Sequence, residues 1–309
     1  MSFIQSIGTV ERETGLSKDI LRVWERRYGF PQPLRNAVGE RSYSSEQIAK
    51  LRLLKRLVDN GFRPGKTVNL SMQQLQELAQ RLRTTGIKPT QALLFSDLIA
   101  KCLALCKSHH KEDLCRTLEK ASMQIGLQRF VMEVAAPLSE AVGDAWAGGT
   151  LAVFEEHLFT EAMQTVLRNG IAKMELTGDN SSKRPHVLLT TLPSEQHGLG
   201  LLMAEAMFSM AGAKCISLGP GTPIPDIDAA ARVLSVDVVA LSFSSAMTAS
   251  HVQQGLTELQ QRLPNHMEIW AGGKNAALEK RPVPGVYVLD LQKIEPFVEA
   301  WRVRQANEN

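Results

Sequence analysis

His197 stands in the run Glu195-Gln196-His197-Gly198-Leu199-Gly200, just after the apolar stretch Val187-Leu188-Leu189-Thr190-Thr191. An apolar strand that ends in a polar, glycine-bearing loop before a helix is where open α/β sheets place their ligands. An imidazole in such a loop has one ring nitrogen to offer a metal, and Glu195 is spaced to hold the other. A gapped motif this short recurs by chance, and a loop histidine is most often an ordinary surface residue. The motif therefore needs a second feature to give it meaning.

That feature lies upstream. Trp146 is followed, after nine intervening residues, by Glu156-His157. The two motifs, in this order, resemble cobalamin-binding proteins, and in particular the light-sensing, cobalamin-dependent transcriptional repressors of the CarH type. The resemblance implies that His197 is the lower axial ligand of cobalt. It implies that Trp146, on a preceding helical bundle, covers the upper face of the corrin beside an adenosyl group, with Glu156 and His157 in the same pocket. Glu195 takes the place of the aspartate found in the enzyme and carrier members, and glutamate there is the version seen in the repressors.

In that fold the histidine displaces the vitamin's own dimethylbenzimidazole, whose tail enters a slot bordered by a Ser-x-Leu strand end and a Gly-Gly turn. Gly272-Gly273 matches the turn. Ser242-Phe243-Ser244 keeps the first serine and carries Ser244 in place of leucine. Gly198, Gly200, Gly219 and Thr222 lie in the other loops at predicted strand ends, where small residues allow close approach of a flat or phosphorylated group. A second departure is Ala147, where the light-sensing repressors have a histidine that ligates cobalt after the adenosyl group is lost. A second imidazole is not available from that position. Three readings stay open: His157 or another side chain substitutes, cobalamin is a structural or chemical signal, or another tetrapyrrole binds.

The elements that must position these residues follow from charge and period. Residues 1–70 carry thirteen Lys/Arg and seven Asp/Glu, a net of +6 on a chain whose total is +3. A basic front end on a near-neutral body is the footprint of a nucleic-acid-binding module. Ile7–Gly15 reads as a short helix, and Ser17 caps a second from Lys18 to Tyr28 with Ile20, Leu21 and Trp24 facing inward. Pro31–Tyr43 suits a two-stranded wing. Ser44 and Gln47 then form a capping box for a third helix with Ile48, Leu51, Leu54, Leu57 and Val58 on one face. Leu21-Arg22-Val23-Trp24-Glu25-Arg26-Arg27-Tyr28-Gly29 followed by Arg41-Ser42-Tyr43 resembles the winged DNA-binding domain of the MerR family. The resemblance implies that Lys18, Arg22, Arg26 and Arg27 face a major groove and that Arg35, Arg41 and Tyr43 serve the wing. Six neutralised phosphates would lower affinity roughly a thousand-fold between about 50 and 200 mM salt.

Residues 72–176 have helical period throughout, with helices expected at Phe95–Ala100, Lys111–Gln124, Phe130–Val142 and Leu151–Glu175. Cys102, Cys106 and His109 or His110 share a helical face, which reads first as a small buried thiol pair and second as a soft-metal or chromophore site. Residues 177–184 form a polar, breaker-rich linker. Beyond it, strands expected at Val187–Thr191, Lys214–Leu218, Val236–Ser242, Glu268–Ala271 and Val286–Leu289 alternate with helices, which gives a parallel sheet wound on both faces.

The reading is a multi-domain chain: a MerR-like winged helix-turn-helix over 1–71, a four-helix bundle over 72–176, and an α/β doubly wound parallel sheet of the cobalamin-binding, flavodoxin/Rossmann-like type over 185–309. It is expected to be a non-enzymatic, cytoplasmic repressor that binds double-stranded promoter DNA as a homo-oligomer, dimer or tetramer. No run of eighteen apolar residues and no signal pattern point to a membrane, and four cysteines do not suggest a disulfide framework. Adenosylcobalamin is the expected cofactor. The competing readings are a corrinoid methyl-carrier or methyltransferase subunit, and a MerR-type regulator that senses another tetrapyrrole or a protein in the same cleft.

Overall fold

The computed structural model describes residues 4–35, 39–59, 62–84, 95–177 and 184–308. The expected wing tip Asn36–Val38 and most of the expected linker, residues 178–183, lie outside these. The chain divides into two compact units, Met1–Leu93 with Val142–Val153, and Leu94–Ala141 with Phe154–Asn309.

The N-terminal unit opens with β1 (Ile4–Ser6), α1 (Ile7–Thr14) and α2 (Lys18–Tyr28). Ser6 and Ser17 cap the two helices by accepting from the amides of Thr9 and Ile20, which otherwise have no intrahelical partner. Gly15 ends α1 at φ +67°, a conformation that a side chain rarely adopts. The wing strands β2 (Leu34–Arg35) and β3 (Arg41–Ser44) pair antiparallel, and β1 adds to β3 to give the order β1-β3-β2. Next come α3 (Ser45–Asp59), the short α4 (Pro64–Thr67) and α5 (Met72–Thr84).

Leu21, Trp24, Ile48, Leu51, Leu54 and Leu57 form the core of this unit. Three expectations change here. Ile20 is 40% exposed, because α2 turns only Leu21 and Trp24 inward. Tyr43, expected at the DNA, is fully buried in the core. The boundary expected at residue 71 falls inside the unit, since Leu75 and Leu78 of α5 pack into the same core. The helical period of α5 is equally good for either neighbour, so period alone could not assign it. Only half of the capping box forms: the Gln47 amide donates to Ser44 Oγ at 3.3 Å, while the Gln47 side chain turns to the backbone of Gln32.

In the C-terminal unit, α6 (Ser96–Lys107) and α7 (Lys111–Ile125) pack together. A further helix starts at Leu127–Arg129 (α8), passes through a π-helical turn at Phe130–Ala135, and continues as α9 (Ala136–Ala147). The π turn buries Phe130, Val131, Val134 and Ala135. The long α10 (Val153–Thr177) closes the bundle. Its Gly170 allows close packing, since a Cβ there would stand 2.9 Å from Leu127 Cδ1.

The α/β part carries β4 (His186–Thr190), α11 (Leu199–Met210), β5 (Lys214–Gly219), α12 (Ile224–Val233), β6 (Val238–Phe243), α13 (Ala249–Arg262), β7 (Glu268–Gly273), α14 (Ala277–Lys280), β8 (Val286–Leu289) and α15 (Ile294–Glu308). The five strands are all parallel, in the order β5-β4-β6-β7-β8. Helix α11 packs with α15, and α12 with α13. Chain direction across the sheet reverses at β4, so the loop after β4 lies at the switch point, where this architecture opens a crevice. No helix among the described residues is long and apolar enough to cross a membrane.

The burial of Tyr43 yields a test. Its hydroxyl is buried with no hydrogen-bond partner among the described residues, and burial pushes its pKa up. Removing an unsatisfied buried hydroxyl is neutral or stabilising. Tyr43→Phe is therefore expected to melt at or above the wild-type temperature and to bind DNA equally well. A loss of more than about 1 kcal/mol in a denaturant titration would show that the hydroxyl has a partner.

Candidate cofactor site and DNA interface

The carboxylate of Glu195 is the anchor of the β4 loop. The residue is buried, with 1% of its surface exposed. Oε1 accepts from the His197 amide at 3.0 Å and lies 2.6 Å from His197 Nδ1, and Oε2 accepts from the Ser244 amide at 2.7 Å. Burial alone would push this carboxyl up, but the bonds from His197 and Ser244 outweigh it and hold Glu195 below the usual carboxylate range. Glu195 in turn holds the His197 imidazole above its ordinary value, against the opposing effect of burial, and Glu156 on α10 adds to the rise.

A carboxylate acceptor on Nδ1 fixes the tautomer of the neutral ring, with the proton on Nδ1 and a lone pair on Nε2. Nε2 has no hydrogen bond among the described residues, and the His197 side chain is 65% exposed. Ser244 Oγ lies 3.2 Å from Nδ1, a further contact on the same nitrogen.

Threonines at the end of β4 fix the neighbouring loop. Thr190 Oγ1 lies 2.8 Å from the Gly219 carbonyl and 2.7 Å from Thr222 Oγ1. Thr191 Oγ1 donates to the Glu195 carbonyl at 2.6 Å and accepts from the Gly221 amide at 2.8 Å. The loops after β4, β5 and β6 are thereby one hydrogen-bonded unit. Thr190 and Thr191 were not among the expected site residues. Their signal was present in the sequence as two polar residues at the end of an otherwise apolar strand.

The glycines divide by role. A Cβ at Gly200 would stand 2.8 Å from Ser242 Oγ, and one at Gly272 would stand 2.8 Å from the Leu289 carbonyl. Gly273 has φ +113° and packs on the backbone of Phe243. These three are required by close packing of the strand ends. Gly219, at φ +76°, faces open space, and Gly198 has only ordinary contacts with Pro220.

Glu156 and His157 are on α10, where Thr160 Oγ1 donates to Glu156 at 2.7 Å and the His157 ring is largely exposed. Trp146, in the last turn of α9, belongs to the N-terminal unit, where it meets Arg52. The Cys102/Cys106 face is ordinary core. Both thiols are buried, and burial pushes them up to about 11 and about 12. His109 binds Glu155 at 3.0 Å, and His110 binds Ser108 at 2.8 Å.

The donor set tests what metal fits. Among the described residues no three His, Cys, Asp or Glu side chains come together as a metal cage. A single imidazole whose Nδ1 is held by a carboxylate suits a metal whose other positions are already filled by its own macrocycle. Cobalt in a corrin meets that requirement.

On the DNA side, Arg22, Arg26 and Arg27 project from the exposed face of α2. Lys18 and Arg22 lie near Glu11 and Asp19 in exposed pairs at 3.6 and 3.1 Å, weak enough to yield to phosphate. The wing differs. Arg41 Nε and Nη2 bind both oxygens of Glu25, at 2.7 and 3.4 Å, and Arg35 lies 3.7 Å from the same carboxylate. Glu25 on α2 thus clamps the wing to the second helix, and neither its role nor that of Arg52 was expected from the sequence.

Residues 5–81 match the model for MerR HTH family regulatory proteins, and residues 98–169 and 185–290 match two models for B12 binding domains. The chain is 29% identical over 85% of its length to the HTH-type transcriptional repressor CarH of Myxococcus xanthus, covering 86% of that protein. It is 28% identical over 78% of its length to the HTH-type transcriptional repressor CarA of the same organism, covering 76% of it. Among solved structures, the Methanosarcina barkeri monomethylamine corrinoid protein matches with a TM-score of 0.52 and 13% identity, over 67% of this chain and 99% of its own. That likeness concerns the fold.

Two outcomes follow from this geometry. In Glu195→Gln the His197 imidazole loses its carboxylate partner, so its pKa, followed by NMR, is expected to fall from above the ordinary 6.5 toward or below it. Because the native value is raised, the pair stabilises the fold while the ring is charged, and that gain disappears as pH rises through the native pKa. An unchanged titration would contradict the hydrogen bond. Separately, Glu25→Gln is expected to cost about 1–2 kcal/mol in a denaturant titration by releasing the wing arginines, and full stability would show that the clamp is unimportant. The chain is thus built as a MerR-type helix-turn-helix domain followed by the two parts of a B12-binding module, and the two relatives it resembles over most of its length are transcriptional repressors.

Proposed function

We propose that this chain is a cobalamin-dependent transcriptional repressor in which His197 Nε2 is the lower axial ligand of cobalt. The observation that carries this reading is the 2.6 Å bond between Glu195 and His197 Nδ1, which keeps the proton of the neutral ring on Nδ1 and leaves the Nε2 lone pair for coordination. Cobalamin, when bound, would supply a cobalt that takes a nitrogen ligand from the protein and, in its adenosyl form, a light-labile cobalt–carbon bond.

The protein's own residues do the rest. Glu195 and Ser244 orient the imidazole. Thr190, Thr191 and Thr222 hold the loops after β4 and β5 in register around it. Ser242 and the Gly272-Gly273 strand end border the slot for the nucleotide tail. Glu156 and His157, on the bundle helix α10, serve the upper face. Occupancy sets how copies of the chain assemble, and an oligomer presents several copies of α2 and the wing to adjacent sites, gaining avidity that a lone basic domain lacks. A switch from mostly bound to mostly free requires roughly 5 kcal/mol of preference for one state. Lys18, Arg22, Arg26, Arg27 and Arg35 serve the DNA, with Arg41 as the brace behind the wing. The reading places the protein in the cytoplasm.

Ala147 gives the light response a different chemistry from that of repressors with histidine there. His157 stands exposed on α10 and is the side chain we assign to that part.

The test is titration of the purified chain with adenosylcobalamin in the dark, with visible spectra and gel filtration before and after green light. A spectral shift that is lost in His197→Ala, with a light-dependent change in size, is expected. Unchanged binding in His197→Ala would overturn the ligand assignment, and binding without any change in size would overturn control by assembly. Methyl transfer from methylcobalamin to a thiol would favour a carrier instead. For the DNA face, Arg26→Ala is expected to weaken binding and lower the salt slope by about one, and an unchanged slope would remove Arg26 from the interface.

A further inference from the structure

Arg52 lies on α3 with only 10% of its side chain exposed. Its Nη2 is 2.6 Å from Glu13 Oε2 on α1, and its guanidinium carbon stands 4.7 Å from the centroid of the Trp146 ring. Its Nε is buried with no hydrogen-bond partner among the described residues. Beside this contact the chain leaving α9 comes down on α3: Gly149 has φ +71°, and a Cβ there would stand 3.1 Å from Ala49 Cβ. A guanidinium this far from water, with one N–H unmet, depends on the two partners it has, the carboxylate and the face of the indole. All five residues belong to the N-terminal unit. Arg52 and Glu13 are absent from the groove-facing set of α2 and from the His197 loop, so neither role described above accounts for them.

We infer that Arg52 and Glu13 are positioning residues for Trp146, holding the indole against the DNA-binding unit. Through Arg52 the tryptophan is tied to α1, the first helix of the helix-turn-helix. Removing the indole leaves the Arg52–Glu13 pair without its third member and loosens α1.

The test needs no cofactor. In the full chain, Trp146→Ala and Arg52→Gln are each expected to lower affinity for a mixed-sequence DNA duplex about fivefold, the effect of ~1 kcal/mol. The double variant should lose no more than either single one, and Trp146→Phe, which keeps a ring face, should behave as wild type. Arg52→Lys, which keeps the charge beside Glu13 and the cation over the ring, guards against a folding defect in Arg52→Gln, and circular dichroism melts of all variants check it. Additive losses, or no loss, would overturn the tie.

Discussion

The carboxylate of Glu195 is a charge buried at the centre of three loops, and its satisfaction organises them. Its two oxygens take the amide and Nδ1 of His197 on one side and the amide of Ser244 on the other. A buried charge is tolerated only when its acceptor positions are filled. The loop after β4 must therefore curl so that residues 195 and 197 face each other, and the end of β6 must lie beside it. The same bonds that make the charge tolerable fix which imidazole nitrogen faces outward. Stability of the loop and chemistry of the ring thus have one cause.

A parallel logic operates in the N-terminal unit with the signs reversed. There two buried or half-buried cations are held by carboxylates from another element, Arg41 by Glu25 and Arg52 by Glu13. The first pair fixes the wing to α2, and the second fixes α3 to α1. The basic charge that the sequence concentrates in residues 1–70 is thus divided by the fold. Some of it, on the open face of α2, remains available to phosphate, and some is internal bracing.

Much of this was legible before any coordinates. The alternation of apolar runs and amphipathic stretches after residue 185 locates all five strands to within two residues at their starts, because each is a short apolar-rich run bounded by glycine or polar turns. Capping serines and αL glycines mark α1 and α2 for equally local reasons. What stayed hidden depends on contacts distant in sequence. Strand β1 exists only because β3 pairs with it. Tyr43 reads as a DNA-facing residue of the wing until the strand turns it inward. The clamp at Glu25 joins residues sixteen apart and that at Glu13 joins residues thirty-nine apart, and no periodicity reports such pairs. In the site, His197 and Glu195 could be read from spacing. Ser244 stands in the sequence as a candidate cofactor-binding residue that departs from the Ser-x-Leu pattern, and the structure shows it on both partners of the central bond.

The central claim is that His197 supplies the nitrogen that faces cobalt. The most direct measurement is the electron paramagnetic resonance spectrum of cob(II)alamin loaded into protein whose histidines carry nitrogen-15. A ligand nitrogen splits the cobalt lines according to its nuclear spin, so a protein imidazole and the vitamin's own unlabelled base give different patterns. The account predicts the doublet of nitrogen-15, collapsing in His197→Ala. A triplet that is unaffected by labelling would mean that the vitamin keeps its own base and that Glu195 holds His197 for another purpose.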